Sequence, residues 1–279
     1  MPLSEPAFDE PYRDDDPALP VGGEAEAESE PPEDGEAAPQ EAPAEEPEEV
    51  VAFAGQPIPS EDELRSALDW AFEKEEGMPP GFLDACAKHA RLVLDENTRM
   101  NLTKIVDPRE VAAKHYLDCW RAMRIVSLLG RSVLDIGTGA GYPGVPIAMA
   151  ERDTKVVCLD STGKKAAFVQ RSIEELGLKN AQALPERAEE HLLRNRYEVV
   201  FMRAVSSVRE NVRLLRKVRH SLVDLVMLKG PSWSREIRGA EREADRLGFR
   251  LGTVWEHELP GEMGERAVLV YRAPGGAGL

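Results

Sequence analysis

Val133-Leu134-Asp135-Ile136-Gly137-Thr138-Gly139-Ala140-Gly141-Tyr142-Pro143-Gly144 reads as a short apolar strand that runs into a glycine loop and then opens a helix. Glycines permit a tight turn and let a ligand approach the backbone closely. The free N–H groups at the start of the following helix favour an anionic group. A dinucleotide fingerprint needs Gly or Ala at position 142, and Tyr142 stands there, so the spacing is G-x-G-x-G and argues against NAD. The next strand candidate ends in Asp160, 19 residues after Gly141. In a doubly wound sheet this places a carboxylate beside the glycine loop, in the crevice at the carboxyl ends of the strands. There it can accept both hydroxyls of an adenosine ribose; the plainer alternative is that it caps the helix starting near Gly163. Strand, loop, helix, strand and acid together point to a nucleoside-containing cofactor.

Outward from this loop, apolar runs and helical stretches alternate. Further strands are predicted at 156–160, 181–184, 197–202, 222–228, 251–255 and 267–271, with helices at 144–151, 163–177, 187–195, 206–220 and 232–247. Such alternation implies parallel βαβ units. The last two strands have only Leu259-Pro260-Gly261-Glu262 and its neighbours between them, which predicts an antiparallel hairpin. The expected architecture is therefore α/β, a doubly wound, mostly parallel seven-stranded sheet, occupying 131–274. Ahead of it, 56–130 reads as a helical subdomain. Ser60 and Glu63 have capping-box spacing before Leu64, Leu68 and Phe72. A second helix is expected over 80–97 and a third over 108–129.

The chain of 279 residues has a formal net charge of −16, but the charge is uneven. Residues 1–50 carry 18 acidic residues against Arg13 alone, leaving 33 acidic and 34 basic over 51–279. The total therefore describes the tail and excludes nothing about nucleic acid in the rest. Residues 1–55 are rich in Pro, Glu, Ala and Asp and poor in large apolar side chains, a composition expected to stay disordered. Such a tail serves either as a docking segment or as a solvating extension. Cys86, Cys119 and Cys158 have no near cysteine partner, so neither a metal nor a disulfide framework is expected, in keeping with a reducing compartment. No apolar run approaches the roughly 20 residues of a membrane span, and the acidic start is no signal peptide. A cytoplasmic protein, expected as a monomer, follows.

The loop with its Tyr142-Pro143-Gly144 ending resembles the core motif of the glucose-inhibited division protein B family, bacterial small-subunit ribosomal RNA methyltransferases acting on N7 of a guanine. Other pieces match in order: Asn97-Thr98-Arg99-Met100-Asn101-Leu102-Thr103, Lys114-His115-Tyr116-Leu117-Asp118, Arg187-Ala188-Glu189-Glu190, Arg203-Ala204-Val205 and Lys229-Gly230. The likeness spans about 60–272. It departs at Glu96, where the family usually has Trp, and at Tyr142, where it usually has Phe. The resemblance implies a class I methyltransferase fold and an S-adenosylmethionine site drawn from Asp135, Gly137, Thr138, Gly139, Gly141, Tyr142, Asp160, Ser161, Ala188, Glu189 and Arg203. It also implies catalytic roles for Arg203, Lys229 and His115, and small-subunit ribosomal RNA or the assembling subunit as partner.

Guanine N7 carries a lone pair and no proton, so its methylation needs positioning rather than a general base. The sequence accordingly shows no base-and-nucleophile pair, and no Asn-Pro-Pro-Tyr follows the fourth strand to hold an exocyclic amine. Arg203 is read as a contact to the target nucleotide or the cofactor carboxylate, or else as an ion-pair partner of Asp135. His115 and Asp118, three apart, either line the cleft or bond to each other. Asn101 and Thr103 supply turn chemistry or close over the ligand. Between Arg203 and Arg219 there are six basic residues and one acidic, with Arg209, Arg213, Arg216 and His220 expected on one helical face. That density favours phosphate contact, while 6% aromatic residues argue against a stacking platform and for RNA read by shape. The alternatives are a methyltransferase of this fold acting on a small molecule or protein, and a non-catalytic RNA- or ribosome-binding paralogue.

Overall fold

The computed structural model describes residues 52–276. The expected tail over 1–55 falls, up to residue 51, outside the described residues. Helix α1 (Glu61–Ala71) starts where the spacing predicts: Ser60 accepts from the Glu63 amide, and the Glu63 carboxylate accepts from the Ser60 amide at 2.8 Å. Its buried Leu64 and Leu68 pack on α2 (Phe82–Asn97). The Asn97 side chain then pins the turn, accepting from the amides of Leu102 at 2.8 Å and Thr103 at 2.9 Å and donating to the Thr103 carbonyl. The third predicted helix is real but interrupted. It runs as α3 (Pro108–Val111), a π-helical segment over Ala112–Leu117, and α4 (Asp118–Met123), ending earlier than the apolar pattern suggests. A π segment sets carbonyls off the ordinary ladder and often marks a functional position; here the Lys114 carbonyl turns to Arg203.

The sheet contains β1 (Ser132–Ile136), β2 (Lys155–Leu159), β3 (Ala181–Leu184), β4 (Tyr197–Arg203), β5 (Leu222–Lys229), β6 (Arg250–Glu258) and β7 (Glu265–Arg272), in the order β3-β2-β1-β4-β5-β7-β6. The first five pair in parallel, and β7 runs antiparallel between β5 and β6, so the last two strands form the predicted hairpin. The strand order reverses between β1 and β4, which opens a crevice at their carboxyl ends. Helices cover both faces. Helices α5 (Gly144–Ala150) and α6 (Gly163–Glu175) share one apolar core with α1, α2 and α4. Helices α7 (Ala188–Arg194), α8 (Val208–Leu214) and α9 (Trp233–Leu247) build the other. No helix among the described residues is long and apolar enough to cross a membrane.

Successive residues of a strand face opposite sides, and this alternation decides where the chemistry points. In β4, Val199 and Phe201 enter the core shared with the N-terminal helices, while Val200 and Met202 enter the other. Arg203, in step with Phe201, therefore turns toward the N-terminal helices. In β5, Leu225 and Met227 face α8 and α9, so Lys229 turns that way. Helix α8 is shorter than predicted: it stops at Leu214, and two 3-10 turns, Leu215–Lys217 and Arg219–Ser221, follow. Arg209, Arg213, Arg216 and His220 thus remain at the surface without forming a continuous helical stripe, because the tighter turns that bury Leu215 and Val218 shift the register.

Candidate active site

The glycine loop is anchored from below. Asp135, fully buried at the end of β1, accepts from Thr138 Oγ1 at 2.6 Å and from the Gly144 amide at 2.9 Å. Its second oxygen has no hydrogen-bond partner, and burial raises its pKa to about 6. Asp135 and Thr138 thus shape the loop from the inside, while Gly137 and Gly139 present it to the cleft. Gly137 has φ +70°, and a Cβ there would lie 2.8 Å from Val205 Cγ2, so only glycine fits beneath the strand end that carries Arg203. Gly139 has φ +59°, and a Cβ there would meet nothing closer than the Gly137 carbonyl at 4.0 Å, which leaves its backbone open to a ligand.

Asp160 lies just past β2 with both oxygens engaged once: Oδ2 accepts from the Gly139 amide at 3.0 Å and Oδ1 from the Thr162 amide at 2.9 Å. Both sequence readings are visible, since Asp160 turns the chain into α6 and also borders the glycine loop. Each oxygen keeps acceptor capacity, as a carboxylate offers about four lone-pair sites. Ser161 beside it is exposed. Ala188 is buried at the first turn of α7, with Glu189 half-buried.

Tyr142 is buried behind the loop. Its hydroxyl donates to Tyr116 Oη at 2.9 Å, and Tyr116 Oη meets His89 Nδ1 at 3.0 Å. Its ring stacks on His115, centroids 4.5 Å apart, and the Arg203 guanidinium sits 5.4 Å from its centroid. Gly141 packs against His89 and Val145. Nothing in the sequence marks His89 and Tyr116 as partners; their spacing reads only as helix interior.

Arg203 is not paired with Asp135. Its Nη2 donates to His115 Nδ1 at 2.7 Å and to the Lys114 carbonyl at 2.9 Å, and Nη1 reaches Cys119 Sγ at 3.6 Å. Asp118 Oδ2 stands 3.9 Å from Nε. The donation to Nδ1 assigns the His115 proton to Nε2, which meets Thr103 Oγ1 at 3.1 Å; that hydroxyl also accepts from the Ile105 amide. Burial, then the charge of Arg203, holds His115 well below the usual histidine pKa, so the ring is neutral. His115 and Asp118 do not bond to each other; both turn to the same arginine.

Past Arg203 the backbone takes φ +53° at Ala204, a left-handed conformation that costs energy for a residue with a side chain. It leaves Val205 against Gly137 and Ser206 beside Lys229. Lys229 donates to the Ser206 carbonyl and pairs with Glu236 Oε2 at 2.9 Å. Ile105, Lys114, Asp118, Arg203, Lys229, Glu236 and Arg266 help line a cavity of about 440 Å3 at the carboxyl ends of β4 and β5. Glu236, Arg266 and His257, the last 3.3 Å from Asp118, were not foreseen, because they come from α9 and the hairpin. Among the described residues, no cluster of three or more His, Cys, Asp or Glu could hold a metal.

The family model described as rRNA small subunit methyltransferase G matches residues 83–259. Proteins named ribosomal RNA small subunit methyltransferase G are similar to this chain. That of Carboxydothermus hydrogenoformans is 35% identical over 189 residues, 66% of this chain and 80% of its own length. That of Solibacter usitatus is 34% identical over 211 residues, 74% of this chain and 100% of its own length. That of Desulforamulus reducens is 33% identical over 195 residues, 67% of this chain and 80% of its own length. With the glycine loop, the acid past β2 and, Arg266 apart, the charged residues of the cavity past β4 inside the matched span, the chain belongs to the rRNA small subunit methyltransferase G family.

Proposed function

We propose that this chain transfers a methyl group from S-adenosylmethionine to N7 of a guanine in small-subunit ribosomal RNA, as a monomeric cytoplasmic enzyme acting on the assembled or partly assembled subunit. The residues fit the cofactor. The open backbone of Gly139 suits its close approach, the tight turn at Gly137 suits the loop that presents it, and the spare acceptor capacity of Asp160 suits two ribose hydroxyls. Asp135, Thr138, Gly141 and Tyr142 act through the shape of the loop; Ser161, Ala188 and Glu189 would complete the set of residues that hold the cofactor. When bound, the cofactor supplies an electrophilic sulfonium methyl, whose C–S bond breaks as the N7 lone pair forms the new C–N bond.

The choice of N7 is supported by one observation: the histidine and the lysine beside the loop that could take a proton are committed. His115 is neutral with both ring nitrogens engaged, and Lys229 is paired with Glu236. An acceptor that must lose a proton finds neither His115 nor Lys229 free to take it, whereas N7 needs no base. Arg203 holds the wall between donor loop and acceptor cavity, and His115 positions Arg203. The exposed Arg209, Arg213 and Arg216 offer phosphate contacts outside the cleft. The helices over 56–130 close the cleft from one side as a subdomain.

The test is methyl incorporation from labelled donor into small subunits and into a short naked hairpin, followed by borohydride and aniline cleavage at N7-methylguanine. Label at one guanine N7, with the hairpin a poor substrate, is the expected result. Label at another atom overturns the N7 assignment, and equal activity on the hairpin overturns the subunit requirement.

A further inference from the structure

The cavity past β4 is lined by six charged side chains, and five of them are already occupied. Arg203 donates to His115 and the Lys114 carbonyl. Lys114 is tied to Glu110 at 2.6 Å. Lys229 is held by Ser206 and Glu236, and Glu236 also accepts from the Val208 amide and the Ser232 hydroxyl, each at 3.0 Å. Arg266 donates to the Glu265 carbonyl. Asp118 differs. Its side chain is 6% exposed and borders the cavity. Its basic neighbours stand at 3.9 Å (Arg203 Nε) and 3.3 Å (His257 Nε2), and the His257 nitrogen forms no hydrogen bond. A buried carboxylate that accepts no aligned hydrogen bond is costly unless something completes it.

We propose that Asp118 reads the target guanine, its two oxygens accepting the N1–H and N2–H bonds of the Watson–Crick edge. The inference rests on guanine being the methyl acceptor and names how the site selects it. Guanine places two parallel donors on that edge, which match the two oxygens of a carboxylate. Adenine places a lone pair at N1, which a carboxylate repels. Holding the Watson–Crick edge leaves the N7 and O6 edge on the far side of the ring, free to meet the donor. Asp118 also favours the reaction. As N7 gains a methyl, positive charge spreads over the purine and N1–H becomes a stronger donor, so this contact tightens in the transition state. The 440 Å3 cavity lies within the range of small-molecule sites and accommodates an unstacked base.

The experiment replaces the target guanine with inosine, which keeps N1–H and lacks the N2 amine, in reconstituted subunits. Both RNAs are assayed with the unaltered enzyme and with Asp118→Asn, and cofactor affinity is measured by calorimetry. With the unaltered enzyme, inosine is expected to lower kcat/KM at least about tenfold, the value of one charge-assisted hydrogen bond. Asp118→Asn is expected to lower turnover on guanine, in kcat more than KM, and to shrink the inosine penalty below about threefold, with cofactor affinity unchanged. An equal inosine penalty in both proteins overturns the assignment. If Asp118→Asn fails to fold, the unaltered enzyme still decides: no penalty on inosine removes the Watson–Crick contact. Failure to label any guanine N7 would instead bring down the underlying function, which separates the two failures.

Discussion

The glycine loop and the cavity past β4 lie on either side of Val205, yet they are built in opposite ways. The loop side comes from one βαβ unit, Ser132 to about Gly163, and its parts are backbone amides, glycines and two carboxylates, Asp135 and Asp160. The cavity side gathers residues from six separate places: the loop at Ile105, the π segment and the start of α4, the end of β4, the end of β5, α9 and the hairpin. Its parts are long charged side chains held by one another. A site of backbone amides is made by local turns and tolerates change around it. A site of buried charges depends on every element that brings a partner, so it is the more fragile half. That difference orders the expected effects of substitution.

Arg203→Ala should do the most damage. It leaves His115, the Lys114 carbonyl and Asp118 facing a void, and removing one partner from such a set costs about 3–5 kcal/mol. The melting temperature should fall markedly, and turnover by roughly a hundredfold or more, which corresponds to about 3 kcal/mol of barrier. Arg203→Lys should restore less than half of either loss, because an ammonium lacks the planar fork that serves two acceptors at once. A variant that melts normally would show that the cavity wall does not rest on this side chain.

Asp160→Ala should weaken S-adenosylmethionine binding at least about tenfold in calorimetry, given charge-assisted bonds of about 1.5–3 kcal/mol each. Melting should change much less than for Arg203→Ala, since the released Gly139 and Thr162 amides lie near water. Unchanged affinity would remove the ribose assignment and with it the claim that the loop side is the donor side.

The buried histidines and Asp135 respond to pH with opposite signs. Burial depresses His89 to about 3 and holds His115 well below its usual value. Histidines depressed in the fold contribute stability above the unfolded pKa of 6.5, and that contribution is lost as pH falls toward 3. Burial raises Asp135 to about 6 from a reference of 3.8. It contributes stability below 3.8, lost as pH rises through 6. Each group is worth about 1.4 kcal/mol per pH unit inside its window. Between pH 4 and 6 one aspartate therefore partly cancels two histidines. Asp135→Asn, which keeps an acceptor for Thr138 and Gly144, should steepen the acid loss of stability in that interval, and His89→Gln should flatten it. Denaturant titrations at pH 4, 5, 6 and 7 read both slopes.

The smallest effect belongs to the surface. Reversing charge at Arg209, Arg213 and Arg216 should weaken RNA binding and flatten its salt dependence, by up to about 0.9 in log–log slope per lost phosphate contact, with cofactor affinity untouched. Arg213 already meets Glu243 at 3.5 Å, so its share should be the least of the three.

Much of the frame is legible in the sequence. The seven strands, the closing hairpin, the Ser60 cap and the placement of Asp160 follow from apolar runs, glycines and spacing. Strand parity even carries the side to which Arg203 turns, since Val199, Phe201 and Arg203 alternate with Val200 and Met202. Other features are not legible. The π segment has the same apolar spacing as an unbroken helix, and the 3-10 turns after Leu214 bury the same residues a continuing helix would. The partners of Arg203 lie 84–89 residues upstream, and no local pattern states which of them it meets.

The sequence by itself determined the glycine loop with its flanking acid, and the family. Loop, turn and strand end are short-range matters, settled by which residues tolerate positive φ and which carry an acceptor. Only the tertiary structure decided that His115 is a neutral prop for Arg203, that Lys229 is bound to Glu236, and that Asp118 is left with acceptors to spare. Those outcomes depend on burial and on distances between segments far apart in the chain. A buried charge takes its role from the partners the fold brings to it.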